Sequence, residues 1–215
     1  MKTSGIFIKS LEIRDSLKSQ NDFKENPIEN TLLPVLPFRV SNKIKLIIIG
    51  QDPTVKNELS RKTIEYTLNL DINGSLKNYI KQICAGLGIE FENIYATNVF
   101  KYFYTYPPER TMHVLHSHLE PNLQLLRDEI SAYPKAKIIT LGLPVLQLMA
   151  GEQAQVSQYW GYDKKTGKSL YGFSACLPDA NKLGRKFYPF PHQPKIVKGF
   201  YKNHLSKYIN FVKFN

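Results

Sequence analysis

The stretch Ile44-Lys45-Leu46-Ile47-Ile48-Ile49-Gly50-Gln51-Asp52-Pro53 decides the fold of this chain. Its short β-branched run ends at a glycine and a polar turn, which is typical of a strand buried on both faces of a sheet. Three later segments, 94–99, 136–141 and 187–190, have the same apolar character and also end at turns. We therefore predict four strands.

Helical periodicity separates these strands. Apolar residues recur at helical spacing over 75–87 and over 115–130, and shorter patterns predict helices around 143–149 and over 200–214. Strands that alternate with helices favour a mainly parallel sheet with helices on both faces. The expected fold class is α/β, a three-layer αβα sandwich around a mainly parallel four-stranded central sheet.

The chain organisation predicted from the sequence is one domain spanning residues 1–215. Residues 1–43 form its N-terminal helical or irregular part. Residues 151–186 are polar and rich in glycine, which indicates a loop or a hairpin insertion, to which the sequence assigns no role.

Composition excludes several classes of protein. With 215 residues, of which 42% are hydrophobic, the chain is globular rather than disordered or fibrous. No apolar run approaches the roughly 20 residues that span a bilayer, and the N-terminus lacks the apolar core of a secretion signal. Two cysteines exclude a disulfide framework and a four-thiolate metal site. We expect a cytoplasmic protein with no membrane partner.

The charge balance points toward an anionic partner. Lys and Arg number 29 against 18 Asp and Glu, a formal charge of +11. Such an excess is expected of a nucleic-acid binder, although a solvated basic surface explains it equally well. The basic residues are spread along the chain in clusters, such as Lys164-Lys165, Arg185-Lys186 and the stretch 195–202.

Polar side chains follow three of the predicted strands. Asp52, Asn98 and His192 each stand near the carboxyl end of a strand, the edge at which α/β sheets bind ligands. Taken singly, Asp52 before Pro53 would cap a turn, Asn98 would bond to nearby backbone, and His192 would be an ordinary histidine. Taken together, a carboxylate, an amide and an imidazole at one edge favour a functional site.

Four motifs in register resemble the uracil-DNA glycosylase superfamily. The family's G-Q-D-P-Y-H motif is matched by Gly50-Gln51-Asp52-Pro53-Thr54-Val55, and its S-L-K-N segment by Ser75-Leu76-Lys77-Asn78. Ala96-Thr97-Asn98-Val99 is similar to its T-N-V segment. The H-P-S-P motif is represented by His192-Gln193-Pro194, followed by Lys198-Gly199-Phe200-Tyr201 where the family has R-G-F-F. Order and spacing agree over residues 44–212.

The resemblance implies a role for each matching residue. Asp52 would stabilise cationic sugar character and orient a water, while His192 would donate a hydrogen bond to O2 of the departing base. Asn98 would pair with O4 and N3–H of uracil, a pattern that cytosine reverses. Base contacts are further expected from Gln51, Thr54 and Tyr66, whose ring would stack on the base. DNA contacts are expected from Ser75, Lys77, Pro194, Lys195, Ile196 and Lys198.

Where the sequence departs from the family pattern, we expect differences in the base pocket and in the residue that fills the vacated base stack. Thr54 and Val55 stand where the family has Tyr and His, and the lost aromatic wall predicts a wider pocket with weaker exclusion of the thymine methyl. Ile196 would replace the family's Leu wedge. Residues 95–108 are similar to the branch that carries an iron-sulfur cluster. That branch uses four cysteines, so we expect no cluster here.

The function predicted is that of a monofunctional, monomeric DNA glycosylase that flips uracil or a related deaminated base from DNA and hydrolyses its N-glycosidic bond without a cofactor. The main alternative is a catalytically weak or silent member that acts as a nucleic-acid-binding module. A third hypothesis is an enzyme that acts on a small-molecule nucleotide, but the sequence lacks a phosphate-binding loop motif, which disfavours it. Clustered His113, His116 and His118 suggest a zinc site, but their helical spacing and the absence of an acidic or thiol partner in the sequence disfavour it, so no metal is expected.

Overall fold

The architecture comes from a computed structural model that describes residues 3–55, 57–170, 172–193 and 199–215. Five strands form one sheet in the order β1-β3-β2-β4-β5. Neighbouring strands from β3 to β5 run parallel, and β1 pairs antiparallel with β3. The strand bounds are Phe38–Arg39 for β1, Leu46–Gly50 for β2, Ile94–Asn98 for β3, Lys137–Leu141 for β4 and Tyr188–Phe190 for β5.

Eight α-helices connect and cover the strands in the described part of the chain. Because β3 and β4 lie on opposite sides of β2, right-handed crossovers place the connecting helices α3 and α5 on opposite faces of the sheet. This gives the three predicted layers. The helices are α1 Thr3–Leu17, α2 Glu58–Arg61, α3 Ser75–Leu87, α4 Met112–Ser117, α5 Leu119–Ser131, α6 Leu143–Ala150, α7 Val156–Tyr159 and α8 Phe200–Phe214.

The four predicted strands form the parallel part of the sheet, which confirms the fold class. All five residues of β2 and of β3 are buried, as expected for strands covered on both faces. The two-residue strand β1 is an addition that the sequence did not predict. It lies in the part expected to be helical or irregular, and its two residues are too few for an alternating pattern to be read.

The predicted helices are also present, but one of them is divided into two helices. The apolar stripe over 115–130 is shared by α4 and α5, which meet at His118. Gly88 ends α3 in the left-handed conformation, with a φ of 71°. Helix α3 packs against α8, and α1 packs against α5. Among the described residues, no helix is long and apolar enough to cross a membrane.

Residues 151–186, to which the sequence assigned no role, are anchored to the core. Trp160 is fully buried, its Nε1 donates to the carbonyl of Pro189 at 2.7 Å, and its ring stacks on Tyr208 with the centroids 4.4 Å apart. An antiparallel bridge joins Cys176 to Phe187, just before β5. The segment is therefore packed against the strand that leads to His192.

Both cysteines are buried and unpaired. Burial raises the pKa of Cys84 to about 12 and also raises the pKa of Cys176. Because the thiolate is the reactive form, both side chains have the character of inert core residues.

Candidate active site

The pairing of β2 with β3 fixes the positions of the first two predicted site residues. Gly50 is in register with Asn98, so both strands end at the same level. The ladder continues past the strand ends, since Val99 N donates to Gly50 O and Phe100 N donates to Gln51 O, each at 2.9 Å. Asn98 therefore ends β3 and Asp52 follows β2, both at the carboxyl edge of the sheet.

A cavity of about 560 Å³ opens at this edge. Its wall contains Gln51, Asp52, Thr54 and His192, so the structure brings together four of the predicted site residues. The remaining wall comes from residues that the sequence did not single out as site residues, namely Gly50, Leu68, Leu141, Gly142, Leu143, Pro144, Gln155, Val156, Lys164, Pro191 and Tyr201.

Asp52 is half-buried and partly engaged by its own turn. Its Oδ2 accepts a hydrogen bond from Thr54 N at 2.8 Å. This is the turn-capping contact that the sequence offered as the alternative to a functional role. The carboxylate nevertheless lies in the cavity wall. Its negative charge also reaches the buried hydroxyls of Tyr102 and Tyr104, where burial first and Asp52 in addition raise the pKa of each phenol. Turn capping and a functional role are thus compatible for this residue.

Two buried amides lie beside the carboxylate. Asn98 is 1% exposed, and its Oδ1 has no hydrogen-bond partner among the residues described. The Nε2 of Gln51 is likewise buried and unpartnered within the described segments. Buried polar atoms without a protein partner are usually completed by an ordered water, an ion or a ligand. The pair offers one acceptor and one donor.

Gly50 is required by space rather than by its backbone conformation. A Cβ at this position would collide with Asn98 Oδ1 and would lie 3.0 Å from Cδ2 of Leu68. Leu68 belongs to the cavity wall, so this contact places the Asn98 amide directly beside the cavity. The glycine allows the side chain of Asn98 to reach across the end of β2.

His192 lies at the exposed rim of the cavity, two residues after β5. Its Cβ is 3.6 Å from where a Cβ on Gly142 would stand, which places the histidine beside the first turn of α6. Gly142, Leu143 and Pro144 of that turn also line the cavity. The free amides at a helix N-terminus favour negative charge, so His192 and α6 are suited to the same anionic group.

The structure does not bring Tyr66 to this cavity. Its ring packs edge-on against Phe38 with the centroids 6.4 Å apart, and it lines a different cavity of about 600 Å³. Leu68, two residues further, faces the candidate site instead and adopts a left-handed backbone with φ 61°. Nothing in the sequence signals this reversal, because a leucine is not expected in that conformation.

Two of the residues predicted to contact DNA, Ser75 and Lys77, lie in the described part of the chain. Ser75 begins α3 and lines a groove of about 600 Å³ with Asn78, Gln193 and Lys202. Lys77 does not line that groove. Its Nζ donates a hydrogen bond to the carbonyl of Asp71 at 3.3 Å and lies 5.7 Å from the Phe91 ring centroid. Pro194, Lys195, Ile196 and Lys198 lie outside the described residues.

A buried ion pair supports the end of β3. Lys101 Nζ lies 2.7 Å from Glu129 Oε2, and both side chains are 1% exposed. The same ammonium donates to Thr97 Oγ1 at 2.6 Å and to the main-chain carbonyl of Asn98. Tyr95 donates to the other oxygen of Glu129 at 2.6 Å. The network joins helix α5 to the residue that carries the buried amide.

The sequence indicated no acidic partner for the three clustered histidines, and the structure corrects this, because each has a different carboxylate from a distant segment beside it. His113 lies 2.6 Å from Glu25, His116 lies 3.7 Å from Glu152, and the buried His118 lies 3.5 Å from Asp22. In the described segments, no three His, Cys, Asp or Glu side chains are grouped so that they could hold a metal ion.

These features define an α/β protein with a carboxylate, two amides and an imidazole around one cavity at the carboxyl edge of its sheet. The family model of the uracil DNA glycosylase superfamily matches residues 37–211, and the chain belongs to that superfamily. No curated protein sequence matches the chain. Membership implies a hydrolase of the DNA glycosylase class, with DNA as its substrate.

Proposed function

We propose that this protein excises uracil, or a related deaminated base, from DNA by hydrolysing the N-glycosidic bond, as a monomer without a cofactor. The observation that carries the proposal is the shared cavity of Asp52, Gln51 and His192 with the Asn98 amide directly beside it. A glycosylase must hold an extruded base, read its polar edge and stabilise the charges that form as the bond breaks.

Asp52 would act on the sugar. Cleavage of the N-glycosidic bond leaves positive charge on C1′, and a fixed carboxylate in a half-buried wall stabilises that charge. One of its oxygens is held by Thr54 N, so the carboxylate keeps its orientation. The same group would orient a water for attack on C1′.

Asn98 and Gln51 would read the base. An amide acceptor pairs with N3–H of uracil and an amide donor pairs with a carbonyl oxygen, whereas cytosine presents an acceptor at N3 and an amino group at C4. Both amide atoms are buried, so a base that leaves them unpaired incurs a penalty. Such a penalty favours uracil over cytosine more strongly than apolar contacts would.

His192 would stabilise the leaving group. The departing uracil carries negative charge, and an imidazole N–H beside the first turn of α6 would donate a hydrogen bond where that charge accumulates. The helix N-terminus contributes in the same direction.

The direct test is the release of free base from oligonucleotides that carry one uracil opposite G, opposite A or unpaired. Release by the intact protein, lost on substitution of Asp52, would support the proposal. The rival function is a catalytically weak or silent DNA-binding module, which the altered Thr54 and Val55 positions favour. Salt-sensitive DNA binding with no base release from any substrate would establish that rival.

Substitution of Thr54 tests the width of the cavity. We expect Thr54→Tyr to raise the preference for uracil over mismatched thymine by about 10- to 100-fold, because one excluded methyl corresponds to about 1–3 kcal/mol. The measurement is the ratio of kcat/KM on G·U and G·T duplexes. Thr54→Val is the control, since it keeps the size while removing the hydroxyl that accepts from Tyr104 N. Complete rejection of thymine by the intact protein would contradict the expectation.

Substitution of Leu68 and Tyr66 tests which side chain covers the base. We expect Leu68→Ala to lower kcat/KM for uracil release by about 10-fold, consistent with about 1–3 kcal/mol for lost apolar contact. Tyr66→Leu should change kcat/KM by less than about twofold. Stacking of a ring on a base contributes about 1–3 kcal/mol, and Tyr66 does not line the cavity that would hold the base. The opposite ranking would show that the ring of Tyr66 moves onto the base.

A further inference from the structure

Residues 162–169 form a hairpin, here named the lysine hairpin because it carries Lys164, Lys165 and Lys168. An antiparallel bridge joins Tyr162 to Ser169 at its base. Within it, the main chain of Asp163 bonds to residues 167 and 168, with Asp163 N donating to the Lys168 carbonyl at 3.0 Å. The turn therefore has a defined backbone conformation.

The hairpin is strongly cationic. Its three lysines are exposed, and among the described residues no carboxylate lies within 4.0 Å of their ammonium groups. The hairpin's own carboxylate, Asp163, accepts from Lys165 N at 2.8 Å and from Thr166 Oγ1 at 2.9 Å. That carboxylate is committed to the turn, which leaves the lysine charges available to a ligand.

The hairpin is held beside the candidate active site. Lys164 lines the same cavity as Asp52 and His192, and its Nζ lies 5.9 Å from the ring centroid of Tyr201, another wall residue. The base of the hairpin follows directly on Trp160, which is fully buried against β5. The anchored segment thus places Lys164 in the cavity wall, with Lys165 and Lys168 exposed on the same short hairpin.

We propose that the lysine hairpin binds the phosphodiester backbone of DNA beside the nucleotide that enters the cavity. The inference rests on the proposed function in one respect, that DNA is the substrate. A nucleotide extruded into the cavity brings its own phosphates to the cavity mouth, where Lys164 lies. Lysine is suited to this role because it neutralises phosphate as a flexible point charge. This assigns a function to residues that the sequence left without one.

The test is DNA binding as a function of salt. Fluorescence anisotropy of a labelled duplex with one uracil is measured from about 50 to 300 mM salt, with Asp52→Asn present in all proteins to prevent turnover. The variant carries Lys164→Gln, Lys165→Gln and Lys168→Gln. We expect the slope of log Kd against log salt to fall by about 2 to 3, since each phosphate contact contributes about 0.9.

A matched control separates a local contact from overall charge. Lys43, Lys45 and Lys135 are exposed and precede β2 or β4, at the opposite edge of the sheet. Their replacement by Gln removes the same three charges and should change the slope by less than about 0.5. Replacement of the three hairpin lysines by Arg keeps the three charges and should preserve the slope.

The outcomes are distinguishable from failure of the proposed function. If the hairpin and control variants lose equal slope, or neither does, the hairpin is not a phosphate contact and the inference is wrong. If the slope falls only in the hairpin variant while the intact protein releases no uracil, the hairpin inference holds and the proposed catalytic function fails.

Discussion

Replacement of Asp52 by Asn is expected to reduce the rate of uracil release by about 10²- to 10⁴-fold, the range typical for loss of a positioned catalytic group. The substitution removes the negative charge while keeping an oxygen that can accept from Thr54 N. The turn and the cavity wall should therefore persist. The measurement is single-turnover base release at saturating protein, which separates chemistry from binding.

The Asp52→Asn protein should bind uracil-containing DNA at least as tightly as the intact protein, because removal of a carboxylate reduces repulsion of phosphates. DNA affinity and thermal stability are the two controls. Unchanged turnover would exclude Asp52 from the assigned role. Loss of turnover together with loss of folding would show that turn capping is its main contribution.

Replacement of Lys101 by Met is expected to lower the free energy of unfolding by about 3–5 kcal/mol, as found when one member of a buried ion pair is removed. The change leaves the carboxylate of Glu129 uncompensated at 1% exposure. It also removes the donor to Thr97 Oγ1 and to the Asn98 carbonyl. Burial lowers the pKa of Lys101, whereas Glu129 opposes this effect. The measurement is urea denaturation.

Two controls test the reason for this loss. Adding Glu129→Gln removes the orphaned charge and keeps an acceptor for the Tyr95 hydroxyl, so the double variant should be more stable than Lys101→Met. Lys9→Met removes a lysine from an exposed ion pair with Asp128 at 3.4 Å and should cost less than about 1 kcal/mol. Equal losses in Lys101→Met and Lys9→Met would contradict the assigned role of the buried pair.

The stability test at Lys101 and the activity of the site are connected through strand β3. Asn98 is the last residue of that strand and Lys101 follows it by three residues, and the ammonium holds the carbonyl of the residue whose amide would read the base. We therefore expect Lys101→Met to lower base release by more than the loss of folded protein explains.

The sequence by itself predicted the four parallel strands, the main helices and three residues of the proposed site. Strand β2 is a short β-branched run closed by a turn, and β3 is a short, mainly apolar run that ends at Asn98; such patterns are local. Because parallel strands end at one edge, Asp52, Asn98 and His192 follow from strand order. The family motifs added their roles, and the family comparison confirms the superfamily.

Only the tertiary structure decided which side chains complete the site. Leu68 rather than Tyr66 faces the cavity because of a left-handed backbone that no periodicity encodes. The burial of Lys101 has no counterpart in the sequence patterns, and only the approach of α5 supplies the buried carboxylate that pairs with it. Lys164 reaches the cavity because Trp160 anchors its segment to β5. Sequence patterns record whether a residue is buried, but contacts between distant segments depend on how the elements pack.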